Sequence, residues 1–450
     1  MSDLRVAPAP DLTHLPGADG RPLVGHTIEY LRDPYGFAFR MHARHGPLFR
    51  SRVFFERGVA VAGPDFAERF FVDRDELFSS RQGWWNVLGA FFPGGLMLRD
   101  FAEHRLHRRI MQVAFKKQAL EGYVGLIDPM MARALDDVGD GAVVKVYPFI
   151  KRLLLDTAAN VFVGVELREE SDRLNRDFVA VMHAAGAGVR KPIPLTPYWR
   201  GLRARKRLKA WFERLLAARS DADRRADMLT VLRNAVSEEG ERFAADDIVE
   251  HVLFLLMAAH DTTTSGLTCL LMLLAMHPEW QERARADVMA LPDKDRLEHD
   301  DLQGMPVLWD CFREALRLYP PVRSIPRRTT RACEVEGHAI PANTPMWVNV
   351  ELNHRDPAIW TRPDAFEPDR FAEPREEHKR HKFAWLPFGG GAHTCLGLQF
   401  SRLEMAAFMV RLLRRFRVSL PAGYSPRMRY LPFVKPIDDL PLRFERLPAG

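Results

Sequence analysis

One cysteine of the chain has surroundings suited to binding a metal. Residues 388–397 read Phe-Gly-Gly-Gly-Ala-His-Thr-Cys-Leu-Gly, and a segment of helical period follows. A thiolate at a helix N-terminus is stabilised by the helix dipole and by free backbone N–H groups. The glycines leave room for a flat, bulky group, and Phe388 can pack beneath it. These features fit a cysteine ligand of haem iron, whereas Cys395 without them would be interpreted as a buried small hydrophobe.

A second candidate site lies inside a long apolar segment, where residues 258–263 read Ala-Ala-His-Asp-Thr-Thr. A buried carboxylate carries a free-energy cost unless it is satisfied, so Asp261 needs an explanation. Threonine hydroxyls that bond to carbonyls one turn earlier predict a bend in the helix. Such an opening also makes a groove in which the Thr262 hydroxyl can bind a dioxygen-derived ligand, so both interpretations can hold together.

An ion pair is predicted in another helix. Glu314 and Arg317 are three residues apart and share one face, and residues 319–321, Tyr-Pro-Pro, end the helix. Taken alone, such a pair is usually a surface feature. A further arginine, Arg370, lies in the downstream run Phe-Glu-Pro-Asp-Arg-Phe at 366–371.

In this order the motifs closely resemble those of the cytochromes P-450, the haem-thiolate monooxygenases, over nearly the whole chain. The resemblance implies a mainly α fold with a minor β region and a long central helix over the haem. It makes Cys395 the iron ligand and haem b the cofactor. The remaining positions of the matched cysteine string are Phe388, Gly389, Gly391, His393 and Gly397.

The resemblance also assigns roles to the other motifs. Thr262 positions waters for oxygen activation and Asp261 relays protons, which is general acid work carried out through water. Ala259 stands where the family usually has glycine, and its methyl group narrows the groove. Glu314, Arg317 and Arg370 form a buried triad that stabilises the core around the haem-binding turn.

The two haem propionates need cations. By resemblance these are His104 and Arg108 on an early helix, Arg327 after the Glu314 helix, and His393. Arg328 is a close rival of Arg327, and the run of charge at 104–109 is also compatible with a solvated helix face. At His393 the charge depends on pH.

A large apolar substrate pocket is implied, with no positioned charge to select a carboxylate or an amine. For each lining residue taken singly, core packing is the alternative role. The lipophilic substrate classes are terpenoids, steroids, retinoids and fatty-acid-like chains. The lining residues implied by the family topology are Trp84, Trp85, Phe91, Phe92, Ala258, Val322, Ile325 and Phe433.

The implied reaction inserts one oxygen atom from dioxygen into a lipophilic molecule. Electrons come from a separate ferredoxin or flavodoxin, which we expect to dock near Arg105, Arg109, Lys116 and the basic run 379–382. Alternatives are a peroxide-driven or isomerising haem-thiolate enzyme and a non-enzymatic haem-thiolate sensor. The Asp261–Thr262 pair argues against the peroxide-driven enzyme and the sensor, because peroxide-driven members typically lack the pair and a carrier needs no proton relay; the isomerising enzyme stays open.

The elements that position these residues can be outlined from periodicity. Helices are predicted over 34–45, 64–72, 101–115, 120–137, 147–162, 166–187, 198–218, 228–236, 244–276, 278–291, 307–318 and 396–416. Strands are predicted over 48–55, 59–62, 328–335, 345–349 and 440–447, with a turn at Asn343. Residues 82–100, 186–196 and 424–437 are predicted to be irregular. We expect one domain over 1–450, with an irregular arm over 1–20.

Composition limits the remaining function classes. The net charge is +6 with no nucleic-acid motif, and the four cysteines form no close pair, which favours a reducing, cytoplasmic setting. The N-terminus has no apolar run that would anchor it in a membrane, so the resemblance is to the soluble, bacterial type. The apolar segment 252–276 could span a bilayer, but His260 and Asp261 in its middle favour a central helix of a globular protein instead.

Overall fold

The computed structural model describes residues 10–164, 171–220, 225, 227–236 and 240–448, and helices dominate these ranges. Within them lie α1 (Thr27–Arg32), α2 (Pro34–His45), α3 (Pro64–Val72), α4 (Ser80–Leu88), α5 (Phe101–Gln112), α6 (Lys117–Asp136), α7 (Val146–Val163), α8 (Ser171–Ala185), α9 (Pro197–Ala217), α10 (Met228–Asn234), α11 (Ala245–Met276), α12 (Pro278–Met289), α13 (Pro306–Leu318), α14 (Val350–Asn353) and α15 (Leu398–Arg415).

The strands are short and lie in small antiparallel or mixed sheets. They are β1 (Leu48–Val53), β2 (Glu56–Val61), β3 (Phe78–Ser79), β4 (Ala142–Lys145), β5 (Ser324–Thr329), β6 (Cys333–Val335), β7 (His338–Ile340), β8 (Pro345–Asn349), β9 (Phe416–Ser419), β10 (Met428–Arg429), β11 (Lys435–Pro436) and β12 (Pro441–Arg446). The largest described sheet has the order β1-β2-β8-β5-β3, in which β2 and β8 are parallel. A three-stranded sheet has the order β4-β12-β9.

The centre of the fold is α11. It is 32 residues long, nearly all of its side chains are buried, and it packs against α7, α9 and α13. Asp246 and Asp247 in its first turn complement the helix dipole. The predicted central helix over 244–276 is therefore confirmed. Among the described residues, no helix combines the length and apolar content that crossing a membrane requires.

Two predictions about irregular segments are wrong in part. The segment 82–100 contains most of α4, which begins where the Ser79 hydroxyl accepts a hydrogen bond from Gln82 N. A Cβ on Gly83 would lie 2.6 Å from Arg327 Cα, so α4 packs closely on β5. The segment 424–437 contains the ribbon β10–β11. Both elements depend on partners distant in the sequence, which local periodicity does not detect.

Strand boundaries differ where the chain turns. The predicted strand 328–335 is two strands, because Thr330 turns away and donates to Glu76 O at 2.9 Å. The predicted strand 48–55 ends at Val53, since Phe54 and Phe55 have φ of 52° and 67° and form the hairpin turn. Asn343, with φ 62°, lies at the predicted turn.

Other boundaries follow the predictions closely. α5 ends at Gln112 and a short 3-10 turn continues over Val113–Phe115. The predicted helix 166–187 corresponds to α8 where the chain is described; residues 165–170 lie outside the described ranges. Residues 186–196 form no helix or strand. Of the N-terminal arm, residues 10–20 form only an isolated bridge between Gly17 and Arg50, and residues 1–9 lie outside the described ranges.

Candidate functional site

The cysteine-bearing turn is closed by its own backbone. Cys395 N donates to Phe388 O at 2.9 Å, and Thr394 N donates to Gly391 O at 3.1 Å. Gly389 and Gly391 have φ of 67° and 62°, which favours glycine at both positions. The turn leads through Gly397 directly into α15, so Cys395 lies at the N-terminal end of that helix, as predicted.

Close packing against the backbone of α3 leaves no room for a side chain at Gly391. A Cβ at Gly391 would lie 1.8 Å from the carbonyl oxygen of Phe71. By contrast, a Cβ at Gly389 would lie in ordinary contact, 3.6 Å from Ile325 Cδ1. Gly391 therefore fixes the turn against the backbone of α3, while the space at Gly389 would admit a Cβ.

The Cys395 thiol faces the interior of the fold. Its side chain is accessible, and yet burial raises the pKa of the thiol. Both observations hold if the accessible surface borders an internal space and not the bulk solvent. A hydrogen bond from the backbone of Gly397 and the charge of Arg108 act in the opposite direction and lower the thiol pKa. These two groups favour the thiolate form.

Four basic side chains meet near this thiol: two from α5, one from β5 and one from the cysteine turn. The rings of His104, on α5, and His393 stack with their centroids 3.7 Å apart. Burial, followed by the charges of Arg108 and Arg327, lowers the pKa of His104 to about 4. Burial and then Arg327 also lower the pKa of His393 well below its usual value. The structure thus brings together all four residues predicted to bind propionates.

This basic cluster, formed by His104, Arg108, Arg327 and His393, carries an excess of positive charge. Within the described ranges, neither Arg108 nor Arg327 forms an ion pair with a carboxylate, and both His104 nitrogens are buried without a hydrogen-bond partner. Asp73 and Asp100 influence Arg327 only at longer range. Buried cations of this kind require anions. The two propionates of a haem whose iron faces Cys395 would satisfy them, so the residues present fit that group.

The geometry of strand β5 decides which of Arg327 and Arg328 lies beside the histidines. Successive side chains of a strand point to opposite faces. Arg328 forms an ion pair with Glu56 and donates to Asn343 Oδ1 at 3.0 Å. Arg327 lies on the other face, with the histidines.

The polar segment of α11 is continuous helix, so the predicted bend leaves no break in it. Thr262 Oγ1 donates to Ala258 O at 2.7 Å, the back-bond predicted for this position. Asp261 is buried and pairs with Lys151 of α7, with Nζ 2.7 Å from Oδ1. The sequence did not indicate Lys151, because its partner lies on another helix.

A carboxyl group that the sequence analysis missed lies beside this segment. Glu404, on α15, is buried, and burial raises its pKa well above the usual value, opposed by a hydrogen bond with Thr263. Its Oε2 atom has no hydrogen-bond partner. Burial thus favours the protonated form of this acid, which lies between α11 and α15. Its position among the apolar residues Leu403, Ala406 and Ala407 was the available sequence evidence.

The predicted triad is present and has a fourth member. Glu314 accepts from Arg317 Nε and Nη2 at 2.7 and 2.8 Å, and from Arg370 Nε at 2.8 Å. Arg370 Nη1 also donates to Glu377 Oε2 at 2.6 Å. The Glu314, Arg317 and Arg370 side chains are fully buried and that of Glu377 is 1% exposed. The network continues to the surface, since Glu377 also pairs with Arg375 at 2.8 Å and Arg370 lies 3.5 Å from Glu367.

His354 connects this cluster to the cysteine turn. Leu386 N donates to His354 Nε2 at 2.7 Å, which requires that Nε2 carries no proton. His354 Nδ1 therefore donates to Arg317 O at 3.1 Å. Burial and the Arg317 charge lower the pKa of His354 to about 3. A neutral imidazole in a fixed tautomer thus joins α13 to the residues preceding Phe388.

Among the predicted pocket residues, Ala258 lies on α11 itself and Phe92 packs against that helix. Phe91 packs edge-to-face on Tyr198 at 5.5 Å, and Phe92 packs on Phe254 at 6.3 Å. The Ser265 hydroxyl of α11 donates to Val434 O at 2.6 Å. Phe91 and Phe92 are buried, whereas the remaining residues are half-buried: Trp84, Trp85, Ala258, Val322, Ile325 and Phe433.

Comparison with known proteins agrees with this geometry. A family model described as Cytochrome P450 matches residues 15–443. A cytochrome P450 136 of Mycobacterium tuberculosis is 40% identical over 441 residues, covering 97% of this chain and 89% of the relative. A cytochrome P450 120 of Synechocystis is 29% identical over 436 residues, covering 96% and 97%. A solved structure titled retinoic acid bound cyanobacterial CYP120A1 has a TM-score of 0.88 at 29% identity and covers 98% of this chain and 99% of that one.

Proposed function

Since the chain belongs to the cytochrome P450 family, and is accordingly a haem-thiolate monooxygenase, we propose that it oxidises a lipophilic isoprenoid-like molecule with electrons from a separate protein. The observation that carries the residue assignments is the geometry around Cys395: one thiol at a helix N-terminus and four basic side chains without a carboxylate partner in ion-pair contact among the described residues. We further propose that the haem is haem b and that residues 1–450 act as one domain in the cytoplasm.

In this proposal Cys395 binds the iron as a thiolate. The haem supplies the activation of dioxygen when it is bound. Gly397 N–H and Arg108 favour the anionic sulfur, and Phe388, Gly389 and Gly391 shape the turn that would receive the haem. His104, Arg108, Arg327 and His393 would hold the propionates, whose negative charge would offset that of the two arginines.

Proton delivery is assigned to the polar segment of α11. The Thr262 hydroxyl can exchange its bond to Ala258 O for a bond to water. Asp261 forms an ion pair with Lys151, with Nζ 2.7 Å from Oδ1. Release of that ion pair lets the carboxylate accept a proton from solvent and pass it towards Thr262 through water.

Replacement of Thr262 by alanine tests this assignment. Thr262→Ala should divert oxygen-driven turnover to peroxide while substrate binding, read from the haem spin state, is retained. Thr264→Ala is the matched control, because Thr264 makes the same back-bond, to His260 O at 2.7 Å. An isomerase would be indifferent to both changes. Equal coupling of oxygen to product in Thr262→Ala and the wild type would contradict the assignment.

A retinoid-like acid is the first substrate to test. Its support is the CYP120A1 structure of the same fold, which contains retinoic acid, and the apolar residues around α11. Titration with all-trans-retinoic acid should shift the haem spin state, and turnover should yield a product heavier by one oxygen atom. Terpenoids, steroids and fatty acids are compared in the same assay. A retinoid that neither binds nor reacts would refute this choice of substrate class.

The electron donor is proposed to dock on a basic face near the cysteine turn. Arg105 is exposed and pairs with Glu76, and Lys379 pairs with Glu376, so these cations are partly neutralised. Lys116 and Lys382 are exposed and form no ion pair within the described ranges. A ferredoxin or flavodoxin with an acidic face complements them.

Charge reversal measures this docking. Lys116→Glu with Lys382→Glu should slow reduction by the acidic donor, and the effect should fade at high salt. Lys145→Glu, an exposed lysine of β4, is the control. Reduction rates that are unchanged at low salt would show that the donor docks elsewhere. The carbon monoxide difference spectrum of each variant confirms that the thiolate ligand is intact.

A further inference from the structure

Two tyrosines that are far apart in the sequence stack on each other. Tyr35, in the first turn of α2, and Tyr430, directly after β10, have ring centroids 5.0 Å apart and ring planes 20° apart. Both side chains are half-buried. Stacked aromatic pairs contribute to stability beyond the area that they bury. The pair therefore ties the ribbon β10–β11 to α2.

An arginine packs on each of the two rings. Arg323 Cζ lies 5.4 Å from the centroid of the Tyr430 ring, and Arg355 Cζ lies 5.0 Å from that of the Tyr35 ring. Arg323 is itself fixed by Glu351, because its Nε donates to Glu351 Oε2 at 2.6 Å. A guanidinium group over an aromatic face is attracted to the ring electrostatically. We call this unit of two rings and two cations, Tyr35, Tyr430, Arg323 and Arg355, the tyrosine stack.

Arg355 is held firmly on its side of the tyrosine stack. Its side chain is 7% exposed, and its Nη2 donates to Leu318 O at 2.7 Å while its Nε donates to Asp364 Oδ1 at 3.1 Å. Its Nη1 is buried without a hydrogen-bond partner among the described residues. A buried N–H group without an acceptor carries a free-energy cost, and the electron-rich face of Tyr35 offsets part of it. Arg355 and Tyr35 thus stabilise each other's position.

The ribbon is also fixed from the inside of the fold. The Ser265 hydroxyl of α11 donates to Val434 O at 2.6 Å, and both residues are fully buried. The next residue, Lys435, has its Nζ 3.9 Å from the centroid of the Tyr147 ring. Ser265 lies about one helical turn after Thr262. Val434 is therefore beside the segment to which proton delivery is assigned.

Phe433 lies between these two points of attachment. It is three residues after Tyr430 and directly before Val434. Its side chain is half-buried, and within the part of the chain that the structure describes its ring packs on no other aromatic ring. Without an aromatic partner of its own, the Phe433 ring depends for its position on the backbone that carries it. That backbone is fixed at Tyr430 and at Val434.

We propose that Tyr430 is a positioning residue for the substrate pocket. The tyrosine stack fixes the outer end of the turn 430–434, and Phe433 thereby keeps a constant depth in the pocket beside Thr262. This inference rests on the proposed function, in which Phe433 lines the pocket of a monooxygenase. A small displacement of such a wall changes which atom of a bound molecule lies nearest the reacting centre. Tyr430 thus controls selectivity from outside the pocket.

The test uses the haem-loaded protein, two azoles and hydrogen exchange. Imidazole is small, whereas 4-phenylimidazole extends into the pocket, and both shift the Soret band when they bind. Tyr430→Leu should weaken 4-phenylimidazole by up to about tenfold, because its affinity then includes the cost of ordering the turn, and should change imidazole by less than about twofold. Exchange of the Ile437 amide, which donates to Arg427 O at 2.9 Å, should rise roughly tenfold with the loss of the stacked pair and its cation. Tyr430→Phe keeps the ring and should behave as the wild type does.

Tyr424→Leu is the matched control. It makes the same chemical change at the open end of the ribbon, where the Tyr424 hydroxyl donates to Asp438 Oδ1 at 2.8 Å outside the tyrosine stack. It should leave the ratio of the two azole affinities unchanged. Tyr35→Leu should reproduce Tyr430→Leu, and the two changes together should be no worse than either one, since each removes the same pair.

Three results would overturn the proposal. They are an unchanged ratio of azole affinities in Tyr430→Leu, an equal loss in Tyr424→Leu, and a Tyr430→Phe variant that behaves as Tyr430→Leu does. If Tyr430→Leu retains no haem, the same ratio measured in Tyr35→Leu decides. A wild type without oxygen-dependent turnover would contradict the proposed function alone, because azole binding and hydrogen exchange do not depend on turnover.

Discussion

Removal of one charge from the buried cluster below the cysteine turn should destabilise the protein strongly. Glu314→Gln keeps the size of the side chain, but takes from Arg317 its carboxylate partner and leaves Arg370 with the buried Glu377 and the partly exposed Glu367, which is 3.5 Å away. Glu314 also accepts from Glu367 N at 3.0 Å, so its two oxygens receive four N–H groups. A glutamine amide has only one acceptor oxygen, and its N–H₂ group would face some of these N–H groups without accepting from them.

The magnitude follows from burial. Breaking a buried ion pair by neutralising one partner costs about 3–5 kcal/mol, because the remaining charge is left uncompensated. The control is Asp369→Asn, next to Arg370 in sequence. Asp369 binds Arg283 in a bidentate pair at 2.8 and 3.1 Å, but both side chains are about half exposed. An exposed pair contributes under about 1 kcal/mol.

The assay is urea unfolding of the two haem-loaded variants and the wild type, followed by circular dichroism and by the Soret band. Glu314→Gln should lower the free energy of unfolding several times more than Asp369→Asn does. It should also lower haem retention, because His354 connects this cluster to the cysteine turn. A loss of less than about 1 kcal/mol in Glu314→Gln would refute the electrostatic argument, and the cluster would then act only as packing.

Three further outcomes are expected. Gly391→Ala should abolish haem binding, because the new Cβ would lie 1.8 Å from Phe71 O. Gly423→Ala is the control, since Gly423 also has a positive φ (73°) but has open space around it, and this variant should retain haem. The measurement is the haem content of the two purified variants, and equal retention would contradict the packing argument. Burial lowers the folded-state pKa of His354 to about 3. As the pH falls below about 6.5, only the unfolded state binds a proton at this histidine, so the free energy of unfolding decreases by about 1.4 kcal/mol per pH unit. His354→Gln should flatten this pH dependence in urea unfolding, and an unchanged slope would show that other groups cause it. Burial raises the folded-state pKa of Glu404, so the stability that this group contributes is present below the pKa of the unfolded state and is lost as the pH rises. Glu404→Gln should therefore be more stable than the wild type at pH 7 and equally stable near pH 4, as measured by urea unfolding. A variant that is less stable than the wild type at pH 7 would show that Glu404 is ionised.

The sequence predicted the helices that carry the site better than the segments between them. The helices α11 and α15 were predicted to within a few residues, because long apolar patterns of helical period are read locally. The helix α4 was missed, since its start depends on Ser79 and its packing on β5. Strand ends at Phe54 and Thr330 depend on turn geometry and on a partner strand, neither of which the local pattern contains.

The chemistry of the site likewise depends partly on the local sequence and partly on the tertiary structure. Residue types and spacing alone determined the cysteine turn, the Asp261–Thr262 pair and the Glu314–Arg317 pair, because each lies within one segment. Only the tertiary structure decided which groups face them: Lys151 beside Asp261, Glu377 beside Arg370, and Arg327 in preference to Arg328 beside the histidines. Charge, burial and pKa at the site depend on side chains far apart in sequence, and packing alone brings them together.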